Sequence, residues 1–355
     1  DLHHQVHSFP TRRSSDLNNA RLTPAIALHY GFRLYYPLHE GPVLSTVVGP
    51  MAFLAYWPIG FLRGSPTTLI LAGSALNLIV CAALLAALVR RLTPDRPMRL
   101  FVALIGAQLA LSYPSLRYSL FCIHADAPAL LLGGLGAGLV IFDRAGLAWK
   151  RCVAAALCLT LAVWAKQSLA PIFLALAVVA ALHQGARGAA RFVGASAVVG
   201  ALISGLFVAW IGFATLRDNM FAVPAQHPWR QMSLATGEIF DRLNAVGAVA
   251  HAKVLAAAAL HIVRENWFLF AALLVALAEH LLRSRPGRRW PRRAWAAFLL
   301  IAVALLPTAA VGRAKIGGEI NHESFAVFFL VAALVCWLAS IAQEQGRPLP
   351  ARIAA

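Results

Sequence analysis

Nine stretches of this chain are apolar over lengths that suit a bilayer better than a water-soluble core. They run Thr67–Leu88, Leu100–Leu116, Ala125–Phe142, Cys152–Trp164, Leu169–Leu182, Phe192–Phe213, Asn266–Leu282, Ala294–Val311 and Phe325–Ile341. A helix needs about 20 apolar residues to cross a membrane, within a working range of roughly 17–25, because every backbone polar group must be satisfied inside the segment. The fourth and fifth runs are short and flank Trp164-Ala165-Lys166-Gln167-Ser168. They read either as two spans or as paired half-depth helices around a polar break. Val43–Leu62 is apolar enough to span, but Gly49, Pro50 and Pro58 favour a re-entrant or interfacial hairpin.

The charges fall between these runs. Hydrophobic residues make up 60% of the chain and charged ones 13%, against soluble averages of roughly 45–50% and 25%. The formal net charge is +17, yet the basic residues are not gathered on one polar face, which excludes nucleic acid as a partner and leaves the lipid bilayer. They sit in alternate turns: Arg90, Arg91, Arg96 and Arg99; then Arg144, Lys150 and Arg151; then Arg187 and Arg191; and finally Arg283, Arg285, Arg288, Arg289, Arg292 and Arg293. The positive-inside rule makes those turns cytoplasmic and the segments between them extracytoplasmic. Cys81, Cys152, Cys158 and Cys336 lie inside apolar runs and Cys122 at the edge of one, with neither a disulfide framework nor a CxxC metal pair.

Residues 1–17 are read as non-native. Back-translated, Ser8–Leu17 fits a common sequencing adapter, and Asp1-Leu2-His3 and His7 fit its preceding arm. On that reading an upstream first span is missing. The organisation expected is then an outer loop with the hairpin (18–66), a transmembrane bundle (67–214), an outer loop (215–265), a second transmembrane portion (266–342) and a cytoplasmic tail (343–355). The predicted fold class is an all-α polytopic membrane protein of about nine transmembrane helices plus the hairpin.

Ionisable residues at membrane depth are costly, so each is a functional hypothesis with a bland rival. Lys166, followed by Gln167 and Ser168, offers a phosphate a point charge with three donors, or simply snorkels to the interface. Asp126, in His124-Ala125-Asp126-Ala127-Pro128, offers a carboxylate at the start of a span, or caps that helix. The His-x-Asp pair without a third ligand nearby does not define a metal site. Gly312–Glu323 is the densest outer polar run: Arg313 and Lys315 suit a phosphate ester, Asn321 and His322 add hydrogen-bonding groups, and a solvated loop is the alternative. Tyr35, Tyr36, His39 and Glu40 precede the hairpin, where aromatics stack on sugars or mark the interface.

Taken in order, Ala27-Leu28-His29-Tyr30-Gly31-Phe32-Arg33-Leu34-Tyr35-Tyr36, Gly41-Pro42, Gly49-Pro50, Lys166-Gln167-Ser168 and Lys315-Ile316-Gly317-Gly318 with Asn321 resemble the GT-C class of integral-membrane glycosyltransferases, which includes protein mannosyltransferases and the lipid A aminoarabinose transferase. The resemblance covers nearly the whole chain. It implies transfer of a sugar from a polyprenyl-phosphate donor to an acceptor hydroxyl of a lipid or glycan, at the outer face of a bacterial inner membrane. No cofactor is implied with certainty, and a divalent cation is compatible with the chemistry. The class places its principal base early in the first outer loop, ahead of Asn18, which leaves Glu40 and Asp126 as carboxylates to test. By the same resemblance Lys166, Gln167, Arg313, Lys315, Asn321, His322 and Tyr36 are expected at the substrate.

Two other functions suit the same composition. A lipid-linked oligosaccharide transporter or flippase uses a basic central cavity equally well, but shows repeated halves with matching broken helices, and no second copy of the Lys166 break is apparent. A surface-polysaccharide polymerase or ligase places arginines and histidine in a large outer loop, as Arg217, His227 and Arg230 are placed here. A purely structural subunit leaves the polar run at 312–323 unexplained.

Overall fold

The computed structural model describes residues 14–37, 40–41, 47–92, 96–143, 147–232, 239–240, 246–283, 294–315 and 320–344. Its helices are α1 (Ser14–His29), α2 (Met51–Leu54), α3 (Pro66–Leu92), α4 (Arg96–Ser112), α5 (Pro114–Phe121), α6 (Asp126–Ile141), α7 (Trp149–Ala165), α8 (Ile172–Ile211), α9 (Phe213–Arg217), α10 (Val223–Ala225), α11 (Ala248–Glu265), α12 (Trp267–Arg283), α13 (Ala294–Ala314) and α14 (Ser324–Glu344). The described extended structure is one two-residue pair, Gln231–Met232 against Ile239–Phe240. The chain is thus an all-α membrane protein. All nine apolar runs lie largely in helix, but they do not make nine spans.

Among the described residues four helices are long and apolar enough to cross a membrane: Pro66–Leu92, Gln167–Ile211, Ala294–Ala314 and Ile320–Ile341. Two bent pairs raise the number to six if each is one span. The shortfall has a geometric cause. α6 has 16 residues and α7 has 17, or about 24–26 Å at 1.5 Å per residue, against a hydrocarbon core of about 30 Å. The Leu100–Leu116 run breaks at Pro114 into α4 and α5, inclined at 96°, and α11 meets α12 at 79°.

The expected fifth and sixth runs are the two helical arms of α8, which folds back between them at Gly185. Gly185 has φ 74° and ψ −174°, a conformation essentially confined to glycine. Phe173 and Phe192 on either side have ring centroids 6.5 Å apart. In a straight helix the 19-residue separation would put them about 28 Å apart. Arg187 and Arg191, predicted to lie in a turn between two spans, sit just beyond this bend.

Residues 47–62 hold α2 and the 3-10 turn Trp57–Phe61, with Phe53, Tyr56 and Ile59 buried and Trp57, Phe61 and Leu62 exposed. Among the described residues of this segment no helix of crossing length forms. α1 opens at Ser14, so the last residues of the segment read as adapter continue into its helix, while 1–13 lie outside the described residues.

The bundle has two chemically distinct ends. At one, Arg151 pairs with Asp143 at 2.8 Å, the Leu147 amide donates to Gln184 Oε1 at 2.8 Å, and Arg91 shares a cavity of about 180 Å³ with Arg151 and Phe142. This gathers the C-termini of α3 and α6, the start of α7 and the α8 bend at an arginine-rich end. Between the ends, α6, α7, the first arm of α8, α13 and α14 pack into one core, with Leu159, Leu176, Ile301 and Phe329 fully buried.

Candidate functional site

The opposite end is polar and buried. Asp126 opens α6 and is fully buried. Lys166, extended at φ −149° where α7 ends, turns its ammonium onto Asp126 Oδ1. Asn321 donates to Oδ2 at 3.1 Å, and His124 Nδ1 lies 2.6 Å from the same oxygen. Three donors from three segments therefore converge on one carboxylate. Removing two charges from water costs several kcal/mol per ion, which close pairing and further hydrogen bonds offset, and here three donors meet the carboxylate. Asp126 carries no capping hydrogen bond; the cap position is Ala125, which overturns the N-cap alternative.

His124 Nδ1 faces both the Asp126 amide at 3.4 Å and the acceptor-only Asp126 carboxylate at 2.6 Å; the shorter contact assigns the proton to Nδ1 and leaves Nε2 as the ring's acceptor. A backbone frame holds the imidazole. The Tyr56 hydroxyl lies 2.8 Å from Asn77 Oδ1 and 3.0 Å from the His124 carbonyl, and Asn77 Nδ2 donates to the Cys122 carbonyl at 3.0 Å. The Tyr118 ring stands edge-on to His124 at 5.9 Å. Burial pushes the His124 pKa below its ordinary 6.5 despite the pull of Asp126, so the ring is neutral near pH 7. Its side chain keeps 13% exposure. An imidazole oriented by a carboxylate through Nδ1 is the orienting half of a general-base arrangement.

A second charged group adjoins the first through the 3-10 turn Ile320–Glu323. Asn321 points to Asp126, and two residues on, Glu323 meets Arg313 Nε at 3.0 Å and accepts from Asn266 Nδ2 at 3.1 Å. His322 lies between them, within range of the charges of Lys166, Asp126 and Arg313. Its ring lies against Gly312, where any Cβ would collide with it, so the first glycine of the polar run is needed for close approach.

Of the residues singled out from sequence, Asp126, Lys166 and Asn321 are in direct contact and His322 and Arg313 adjoin them. The others do different work. Gln167 Nε2 donates to the Val47 and Met220 carbonyls, at 3.0 and 3.2 Å, and staples two backbone segments. Lys315 donates to the Pro224 carbonyl at 2.9 Å and lies 5.8 Å from the Trp229 ring. Its pKa is pulled down by burial. Tyr36 is half-buried; its hydroxyl accepts from the Arg33 amide at 3.2 Å and its carbonyl from Asn219 at 3.1 Å. Glu40 is exposed, and among the described residues no ion pair joins it to the cluster. His39 and 316–319 lie outside the described residues. His124 as a base, the Tyr56–Asn77 frame and Glu323 were not assigned from sequence. The one available signal was the two-residue spacing of His124 and Asp126 at a helix start.

Fold and site together define a multi-pass helical membrane protein with a buried ionic network at one end. No protein-family description, curated protein or solved structure matches the chain.

Proposed function

We propose that this protein is a glycosyltransferase of a bacterial inner membrane, moving a sugar from a polyprenyl-phosphate donor to an acceptor hydroxyl at the extracytoplasmic face. The observation that carries the reading is the His124–Asp126 pair at 2.6 Å, fixed by Lys166 and Asn321 at the end opposite the arginine-rich one. The positive-inside rule assigns the arginine end to the cytoplasm and turns the pair outward.

In the proposed reaction the acceptor hydroxyl gives its proton to His124 Nε2 as its oxygen attacks the anomeric carbon and the bond to the phosphate breaks. Asp126 keeps the imidazole oriented and stabilises the imidazolium that forms. The departing phosphate needs cations as negative charge develops, and Lys166 and Arg313 are the nearest, with His322 beside them as a neutral hydrogen-bonding group. Lys166 and Arg313 are each already paired with a carboxylate, so donor binding has to loosen those pairs. Glu40, Tyr36, Gln167 and Lys315 act at most at the rim of this site.

The test is transfer in proteoliposomes supplied with a panel of polyprenyl-phosphate sugars and lipid acceptors. Product formation that His124→Gln abolishes supports the proposal. The same closed ion pairs favour one alternative, a lipid-linked sugar transporter in which opening of the Asp126–Lys166 contact gates passage. Movement of labelled lipid-linked sugar across the bilayer without product would select it.

A further inference from the structure

Beyond glycosyl transfer, we infer that His261, Glu265 and Glu323 form a binding site for a divalent transition-metal ion of the zinc–manganese class. His261 and Glu265 stand one helical turn apart on α11, which puts both on one face, with Nε2 and Oε1 2.9 Å apart. Glu323 comes from the turn before α14, and one ligand atom from each of the three lies within 4.8 Å of the other two. Donors about 2.1 Å from a tetrahedral ion stand about 3.4 Å apart, so the widest gap must close by at most about 1.4 Å.

Three features separate this group from an ordinary surface cluster. Glu323 is 1% exposed, whereas surface carboxylates are solvated. Its Oε1 accepts no hydrogen bond although it is buried, because the Arg313 Nε at 3.0 Å is not aligned to donate, and that Nε is itself unsatisfied. Its other oxygen is fixed by Asn266, which caps α11 at the bend, as a ligand's outer partner fixes its orientation. Arg313 offsets part of the repulsion between Glu265 and Glu323, and a dication between the two carboxylates would take its place on Oε1.

One imidazole and two carboxylates are a donor set for Zn²⁺, Mn²⁺ or Fe²⁺; the nitrogen selects against Mg²⁺ and Ca²⁺, which take oxygen ligands. His261 and Glu265 are about one-third exposed, so the fourth position opens to water or a ligand. The ion would sit two residues along the same turn from Asn321, which holds Asp126.

The experiment uses the full chain in detergent with a purification tag free of histidine. The protein is stripped with a chelator and titrated with Co²⁺, which reports tetrahedral coordination by its visible absorption, and then with Zn²⁺. One equivalent of Co²⁺ with that absorption, displaced by Zn²⁺, is expected. His261→Ala and Glu265→Gln should each weaken binding at least tenfold, and His29→Ala should leave it unchanged. Glu265→Gln replaces a partly exposed side chain at a helix end, so it remains informative if the alanine variant does not fold. Absence of stoichiometric binding, or binding unaffected by both substitutions, overturns the inference. The readout needs no activity, so its failure is distinct from failure of the transferase reading.

Discussion

At the residue scale, the Asp126–Lys166 pair makes an asymmetric prediction. Replacing one partner leaves the other charged, buried and unpaired, which costs about 3–5 kcal/mol in soluble proteins, whereas replacing both by apolar or neutral groups is nearly neutral. Asp126→Asn should therefore lower thermal stability sharply in detergent, and adding Lys166→Met should restore most of it. Equal losses in the single and double variants would mean that the pair does not hold the fold. His124 makes a pH prediction. Its folded pKa lies below the ordinary 6.5, so the folded state favours the neutral ring. The stability linked to this group is present above about pH 6.5 and is lost as pH falls below it, and the proposed base catalysis would fade as pH falls toward the lowered folded pKa. A rate flat above neutrality and falling on acidification is expected from a pH profile, with the acid limb removed in a His124→Gln variant that retains residual activity. The individual residues were legible in part: Asp126, Lys166 and Asn321 stand out as polar groups beside apolar runs. Their convergence was not legible, because it depends on segments up to 195 residues apart meeting at one carboxylate.

At the scale of elements, apolar runs predicted helices well and spans poorly. Hydropathy reports that a segment is buried in lipid or protein, but not whether it crosses, bends or stops at half depth. α4 with α5 and α11 with α12 are bent by 96° and 79°, and only the proline at 114 announces one of those bends. The fold-back within α8 rests on Gly185, which composition cannot distinguish from Gly194 or Gly205, both with open space around them. A Gly185→Ala substitution should destabilise by about 1–3 kcal/mol, because alanine strains at that φ and ψ. Gly194→Ala, within the second arm, should be neutral or stabilise by up to about 1 kcal/mol. Thermal scans of the two variants provide the comparison, and a similar effect at both positions would remove the special role of the bend.

At the scale of the whole molecule, an apolar middle separates an arginine-rich end from a buried ionic network at the other. Lys253 on α11 and Arg187 beyond the α8 bend are both exposed and belong to opposite ends. Lys253→Cys should react with a membrane-impermeant thiol reagent in intact cells, and Arg187→Cys only after permeabilisation; the reverse pattern would turn the bundle over. The decisive measurement is sugar transfer in proteoliposomes by the unaltered chain, His124→Gln and Lys315→Gln, with equal amounts of folded protein. A fall of about 10²- to 10⁴-fold is expected for His124→Gln, the usual range for loss of a general base, and a change of less than about tenfold for Lys315→Gln. Transfer that survives His124→Gln undiminished would contradict that expectation.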